Sequence, residues 1–400
     1  MAPIVYLTCE IKGRDFKSRL LIAAHLLKLG YHVVVGQQWS MGLNAPHALR
    51  GCVLFKTANR IQGEAMRGFK ELGYVVVGSD EEALSTSTAL AAHTVDPLAM
   101  AMSAAFFALN ERHQEALARA FPEHAPRIVA TGTARADLMR ISRQGRPHPR
   151  PYILVNTSFG FTNSVWGGEA EAVQAYLRGR NSDLSDSKQV AATNLRLSYE
   201  RAAMRELEVL LSWLAANSGL DVVLRPHPNE KPERWYGVPG ITVVTGSESI
   251  PWIKHAHVTI HNDSTTGIEA AIIGARAINL SPEDGWAERL VLREVNYTVA
   301  TATQAIEAIK SGRIETARNT EFVPLYGARR AAKAIAATLP GPGKIGPLPW
   351  TPHARPDFQK AKMSVTFDEC LAAMKELFPT AAVPLKRFRE IDDSVFHFEP

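Results

Sequence analysis

Three cysteines, Cys9, Cys52 and Cys370, lie far apart in the 400 residues, and none has the CxxC spacing. A disulfide framework and a cysteine-based zinc site are therefore not indicated, and a reducing compartment is. No uninterrupted apolar run reaches the roughly 18 residues needed to span a bilayer. The opening MAPIVYLTCEIKGRDF has no basic stretch followed by an apolar one, so a cytoplasmic protein is expected. Lys/Arg blocks interleaved with aromatics are missing, which argues against a nucleic-acid partner, while the formal charge of +5 favours small anionic ligands. There is no HExxH and no clustered carboxylate pair at a strand end, so no metal is expected. GxGxxG or GxxxxGKS/T after a strand and a GxSxG elbow are also absent, which argues against dinucleotide oxidoreductases, P-loop enzymes and hydrolases built on that elbow.

What is present reads as a folded α/β chain. Hydrophobic residues make up 46% and charged ones 21%, near the globular average. The length exceeds what one core usually serves, so two domains of roughly 150 to 200 residues are expected. β-branched runs (IVYLTCEI, YHVVVGQ, GCVLFKTA, YVVVGSD) alternate with helical spacings such as Phe16, Leu20, Ala24 and Leu27. EEALSTSTALAA reads as a helix in this series. That alternation implies parallel sheets covered on both faces. SRQGRPHPRP has a linker's composition, and the rhythm restarts at YILVNTSFG. The expected organisation is an N-terminal Rossmann-like domain over 1–145, a second over 151–338, and a proline-rich wrap and tail over 339–400.

Ligands of open α/β sheets bind at the carboxyl ends of the strands, so residues there carry the functional reading. After the strand HVTIHND, residues Ser264, Thr265, Thr266 and Gly267 open a helix whose amides and dipole attract phosphate. Glu269 in its first turn can accept bonds from ribose hydroxyls. The same residues also read as an ordinary cap, with Asp263 or Ser264 closing the helix and Glu269 complementing its dipole. In LRPHPNE, Pro226 and Pro228 fix the backbone around His227, presenting its imidazole at a strand end with Arg225 beside it. A phosphate contact and a structural histidine under a turn both fit.

In the first domain, Glu10, Lys12, Arg14, Asp15 and Arg19 follow the first strand, either as an acceptor or acid/base group or as a solvated helix start. Asn156, Thr157 and Ser158 end the second domain's first strand, as sugar contacts or as turn formers. The tail places Lys386, Arg387 and Arg389 beside Phe388, Phe396 and Phe398. It reads either as an edge for an anionic membrane or, preferably, as a packed segment covering the first domain.

Taken together, the opening strand with EIKGRDFKSRLLIA, then TGTARADLMR, ILVNTSFG, RPHPNE and IHNDSTTGIEAAIIGARAINL resemble the bacterial surface-carbohydrate biosynthesis group of GT-B glycosyltransferases, related to capsule and O-antigen Kdo transferases. The resemblance spans about residues 4 to 285 and departs at TGTARAD, where relatives usually carry asparagine and proline after the glycine. It implies two Rossmann-like domains with parallel sheets facing a central cleft. It also implies transfer of a sugar from a nucleotide donor on the C-terminal domain to a glycan or lipid-linked acceptor on the N-terminal one, at the inner face of the inner membrane. His227-Pro228 is similar to the element that holds the phosphate of CMP-linked donors, which makes CMP-Kdo the leading donor and substrate, with no cofactor. The carboxylate candidates are Glu10, Asp15, Asp263 and Glu230, with Glu10 the first choice. Rival readings are a nucleotide-sugar 2-epimerase, a glycerophosphotransferase, or a non-catalytic binding subunit of a polysaccharide assembly complex.

Overall fold

The structure, a computed structural model, describes residues 2–81, 94–141, 145–179, 184–246, 248–282, 295–314, 323–354, 356–378 and 383–400. The helix expected over EEALSTSTALAA falls almost entirely outside them. The described residues form two compact units, one from 2–141 together with 323–400 and the other from 145–314.

In the first unit, β1 (Ile4–Cys9), β2 (His32–Gln37), β3 (Gly51–Leu54), β4 (Val75–Ser79), β5 (Ala105–Ala108) and β6 (Ile128–Ala130) form a parallel sheet in the order β2-β1-β3-β4-β5-β6. Every residue of β1 is buried, because helices cover both faces of the sheet. Lys17–Lys28, Ala134–Ile141, Gly327–Ala337 and Phe367–Leu377 contribute to one core layer. Met41, Met66, Phe69, Met100 and Leu117 build the other, with Leu348 and Trp350 packed against it.

The second unit holds β7 (Tyr152–Asn156), β8 (Asp221–Arg225), β9 (Ile241–Val243), β10 (Val258–His261), β11 (Ala277–Leu280) and β12 (Tyr297–Val299), all parallel, in the order β12-β11-β10-β7-β8-β9. One core layer takes the Met204, Leu207, Leu211 and Leu214 face of the long helix Ser187–Asn217, the face that the sequence spacing gives. The other takes Trp252, Ile253 and Ala270 from the helices Ser249–His255 and Thr266–Ile273.

The boundary of the second domain needs correction. The described residues of 323–338, expected within 151–338, belong to the first unit. Ala328, Ala331, Ala332 and Ile335 are buried in its core, and small side chains let Gly327–Ala337 pack on Lys17–Lys28 and Ala134–Ile141. A Cβ on Gly327 would lie 2.6 Å from the Thr133 backbone, so only glycine allows that approach.

The tail is part of the first sheet. β13 (Arg387–Asp392) and β14 (Val395–Glu399) form an antiparallel hairpin, and β14 pairs antiparallel with β2, extending the sheet to eight strands. Phe396 and Phe398 are fully buried, and Phe388 stacks on Phe398 with ring centroids 5.2 Å apart. The tail is thus the packed segment on the first unit that the sequence favours over a membrane edge, and the apolar surface of Phe396 and Phe398 is used in packing. Among the described residues, no helix is long and apolar enough to cross a membrane.

The hairpin carries a pH dependence. The His397 ring lies against His32, with Nε2 3.4 Å from His32 Nδ1, while its own Nδ1 accepts from Arg389. Burial, followed by the charges of Arg389, His32 and Arg387, pushes the His397 imidazole down to about 3; Glu399 lies 3.8 Å from its Nδ1. Burial likewise lowers His32, with Glu399 opposing and Lys386 adding to the shift. As pH falls below the ordinary histidine value of about 6.5, the unfolded chain binds a proton that folded His397 refuses, so stability present above that value is lost towards pH 3. The unfolding temperature of wild type is expected to drop by several degrees between pH 7 and 4, at about 2–4 °C per kcal/mol. His397→Phe should remove part of that slope; an unchanged slope in the variant would assign it to other groups.

Candidate functional site

The carboxyl edge of the second sheet brings most of the expected residues together. β7 is its central element, with β10 on one side and β8 on the other. Register sets His261, Asn156 and Arg225 side by side, Asn156 opposite His261 in one pair and opposite Arg225 in the other. Each strand then turns into a loop carrying polar side chains. The three strands end at the same level, which is why three distant sequence motifs meet here.

The β7 end ties its neighbours into one frame. Asn156 Nδ2 donates to Thr266 Oγ1 at 3.1 Å. The Thr157 hydroxyl donates to the Glu230 carboxylate, 2.9 Å from each oxygen. Ser158 exchanges two bonds with Asn262, its N–H donating to Oδ1 at 2.8 Å and its carbonyl accepting from Nδ2 at 3.1 Å. Asn156 to Ser158 therefore act as turn and frame residues in this structure, whatever else they contact.

Glu230 is the organising carboxylate that the sequence placed among the nucleophile candidates. It is buried and also accepts the N–H groups of Phe159 at 3.0 Å and His227 at 3.1 Å, with Asn163 Nδ2 at 3.3 Å. Burial pushes its carboxyl up, and these donors pull it back. It holds the Pro226–Asn229 turn from below. Within that turn His227 is exposed, and its Nδ1 accepts the Asn229 N–H at 3.1 Å. An accepting Nδ1 puts the neutral ring's proton on Nε2, where it is a donor. Pro228 is exposed beside it.

At the start of the helix Thr266–Ile273, Asp263 is buried and left-handed, with φ 43°. Its Oδ1 accepts from Asn279 Nδ2 at 2.6 Å, its Oδ2 from Ser281 Oγ at 2.9 Å, and its N–H donates to Asn279 Oδ1. Both carboxylate oxygens thus brace the loop against β11, a structural use that sequence reading did not anticipate. Ser264 Oγ donates to Thr266 Oγ1, and the Thr266 N–H donates to Ser264 Oγ, so two of the three hydroxyls serve the turn itself. Thr265 is the exposed one. Gly267 has a packing reason: a Cβ there would lie 2.5 Å from His261 Nε2 and from Asn296 Nδ2. Glu269 accepts from Ser249 Oγ at 3.0 Å and interacts electrostatically with Arg225. Burial draws the Arg225 guanidinium down from its usual value, with Glu269 opposing. His227 and the hydroxyl-bearing helix start are linked through β7 on one edge of one sheet.

In the first unit the residues after β1 form a buried charge cluster. Asp15 is fully buried on a five-residue π-helical turn, Lys12–Phe16. Its Oδ2 accepts the N–H groups of Glu10 and Ile11, each at 2.9 Å, and lies 3.1 Å from Lys56 Nζ. Burial raises its carboxyl, but Lys56, Arg19 and the two amides outweigh that and hold it below the ordinary aspartate value. Glu10 is half-buried, 2.7 Å from Lys56 Nζ, and accepts from Gln62. Arg19 Nη1 reaches Glu81 at 2.8 Å. Arg14 Nε lies 3.4 Å from Asp15 Oδ1, and Lys12 turns to Glu369 of the helix Phe367–Leu377. Asp15 is a bracing group, and of the two carboxylates Glu10 alone reaches solvent.

Sequence reading missed Lys56, Glu81 and His261. Lys56 had a usable signal, a lone cation directly after the apolar strand GCVLF; Arg19, expected among the cations of its segment, is fully buried, against the reading as a solvated helix start. His261 was read as part of a strand, although it ends β10 in register with Asn156.

No protein-family profile matches the chain, and no curated protein matches it. Solved structures do. The structure of a putative UDP-N-acetylglucosamine 2-epimerase from Listeria monocytogenes aligns at 12% identity over 84% of this chain and 96% of its own, with a TM-score of 0.51. UDP-GlcNAc 2-epimerase from Methanocaldococcus jannaschii, in complex with UDP-GlcNAc and UDP, aligns at 13% identity over 84% of this chain and 100% of its own, with a TM-score of 0.50. The chain therefore shares the two-domain α/β fold of these proteins, the GT-B arrangement of two parallel-sheet domains.

Proposed function

We propose that the chain is a nucleotide-sugar enzyme that grips the donor's phosphates at the carboxyl edge of its second sheet and breaks the bond between the sugar's anomeric carbon and the phosphate oxygen. The observation that carries this reading is the register-aligned row His261, Asn156, Arg225, flanked by the exposed His227 turn and by the start of Thr266–Ile273. The dipole of that helix, the His227 Nε2–H and the Arg225 charge are groups that stabilise negative charge as a phosphate departs, while the amides of Thr266 to Glu269 donate within the turn itself. Glu269 in the same first turn is suited to ribose hydroxyls. Arg225 interacts with Glu269, so part of its charge is balanced before any ligand arrives.

Epimerisation is the first activity to test. The C2 proton of a nucleotide-linked hexosamine is not acidic, but departure of the phosphate from C1 opens an elimination route through C2, so a phosphate-stabilising site serves that reaction. The fold match to UDP-GlcNAc 2-epimerases, over 84% of this chain, supports this reading over transfer. Glycosyl transfer to a glycan or lipid-linked acceptor, with CMP-Kdo as donor, is the second reading, supported by the sequence segments that resemble the transferases, RPHPNE among them. Both readings start with the same bond cleavage and differ in the fate of the freed sugar.

Incubating the protein with UDP-GlcNAc alone, with proton NMR of the anomeric region as the readout, separates them. The epimerase reading predicts a second UDP-hexosamine without acceptor. The transfer reading predicts no change in UDP-GlcNAc and CMP release from CMP-Kdo only when acceptor glycan is added. If neither reaction occurs and calorimetry detects no binding of UDP or CMP, the proposal is rejected and a non-catalytic role remains.

A further inference from the structure

We propose that the second unit carries a saccharide-binding site in a cavity of about 690 Å³ lined by Phe161, Trp166, Tyr176, Arg196, Glu171 and Asn229. Its volume is that of small-molecule pockets in general, and its walls combine aromatic planes with a few polar groups. The back wall is prebuilt. Phe161 and Tyr176 meet edge to face at 5.2 Å, and the Arg196 guanidinium lies 4.3 Å from the Phe161 centroid and 5.5 Å from that of Tyr176. Buried Glu200 locks this wall, accepting from Arg196 Nε at 3.0 Å and from the N–H groups of Phe161 and Thr162 at 2.8 and 3.1 Å.

The front lip is Trp166, 65% exposed and therefore presented rather than packed. Its strip is fastened to the Pro226–Asn229 turn. The Val165 N–H donates to the Asn229 carbonyl at 3.0 Å, Ser164 bridges to Glu230, and Lys231 Nζ donates to the Gly167 carbonyl at 3.3 Å. An exposed indole on a fastened strip offers a flat, electron-rich face, and the axial C–H bonds of a pyranose match such a face while its hydroxyls remain at the rim. Glu171 and Asn229 stand at that rim as acceptor and donor. A charged or fully apolar ligand would leave one of these two sets of groups unused. The cavity adjoins the His227 turn through Asn229, yet a saccharide held there needs no nucleotide, and its binding is independent of the reaction proposed above.

Saturation-transfer NMR on the full chain tests it, with N,N′-diacetylchitobiose, maltose and uridine as separate probes, and UDP affinity measured on the same samples by calorimetry. Saturation is expected on the ring C–H protons of at least one disaccharide, reduced five-fold or more in Trp166→Ala and largely restored in Trp166→Phe, with UDP affinity the same in all three proteins. Absence of transfer to both disaccharides, or transfer that Trp166→Ala leaves intact, overturns the proposal. So does saturation of the uridine base protons that Trp166→Ala abolishes, since a nucleobase would then be the occupant. Loss of UDP binding in every protein would instead count against the nucleotide-sugar reading and leave the saccharide result readable.

Discussion

His227→Ala is expected to lower turnover about 100-fold or more, the usual cost of removing one preorganised donor to a departing anion, while leaving the fold in place. Two features of the structure support this pairing of effects. The imidazole is exposed, so its removal opens no cavity, and the bond its Nδ1 accepts from the Asn229 N–H is a local one. The turn itself is held by Glu230, which takes the His227 N–H and leaves the side chain outside the frame. His227→Gln, which can still present an N–H donor, should recover part of the loss. The measurement is turnover on whichever nucleotide sugar reacts, alongside thermal unfolding of both variants. Wild-type turnover in His227→Ala would remove the imidazole from the chemistry and leave phosphate stabilisation to the helix start and Arg225.

The sequence made the layered fold readable because its strands are short β-branched runs between helical spacings. YILVN, DVVLR and VTIH all became parallel strands, and the helix over Met204 to Leu214 buried the face that its period assigns. Periodicity says which face of an element is buried and nothing about which unit buries it. The Gly327–Ala337 helix lies nearer the second domain in sequence, yet its small-residue face is buried in the first unit, with Gly327 against the Thr133 backbone. The phenyl-rich tail packs on the first unit, as its preferred reading has it, but the free sheet edge at β2 that receives it cannot be read from its own residues. At the site, the motifs say which loops follow strand ends and say nothing of how their side chains are used. Asp263, Asp15 and Glu230 are acids in loops that follow strands, and each is spent on amides, hydroxyls or a lysine, several of them far away in sequence.

Asp15→Ala should destabilise the first unit by about 3–5 kcal/mol, the range for removing one member of a buried charge pair. The carboxylate has no solvent exposure, and water offers its partner no alternative, Lys56 being 2% exposed. Its loss leaves the Glu10 and Ile11 N–H groups without their acceptor and Lys56 with Glu10 alone. Two unsatisfied amides alone would cost about 1–3 kcal/mol each. Asp15→Asn keeps one acceptor oxygen of the right shape but loses the charge opposite Lys56, so about half the effect is expected. Urea denaturation monitored by circular dichroism gives both numbers. The acid limb provides an independent check: a carboxyl held below its unfolded value of about 3.9 contributes its stability above that pH and loses it as pH falls through the folded value. Wild type should therefore lose stability below about pH 4 more steeply than Asp15→Ala. If the alanine variant unfolds within about 1 kcal/mol of wild type, Asp15 is not a brace, and its place beside Glu10 and Lys56 would have to be explained by chemistry on a substrate instead.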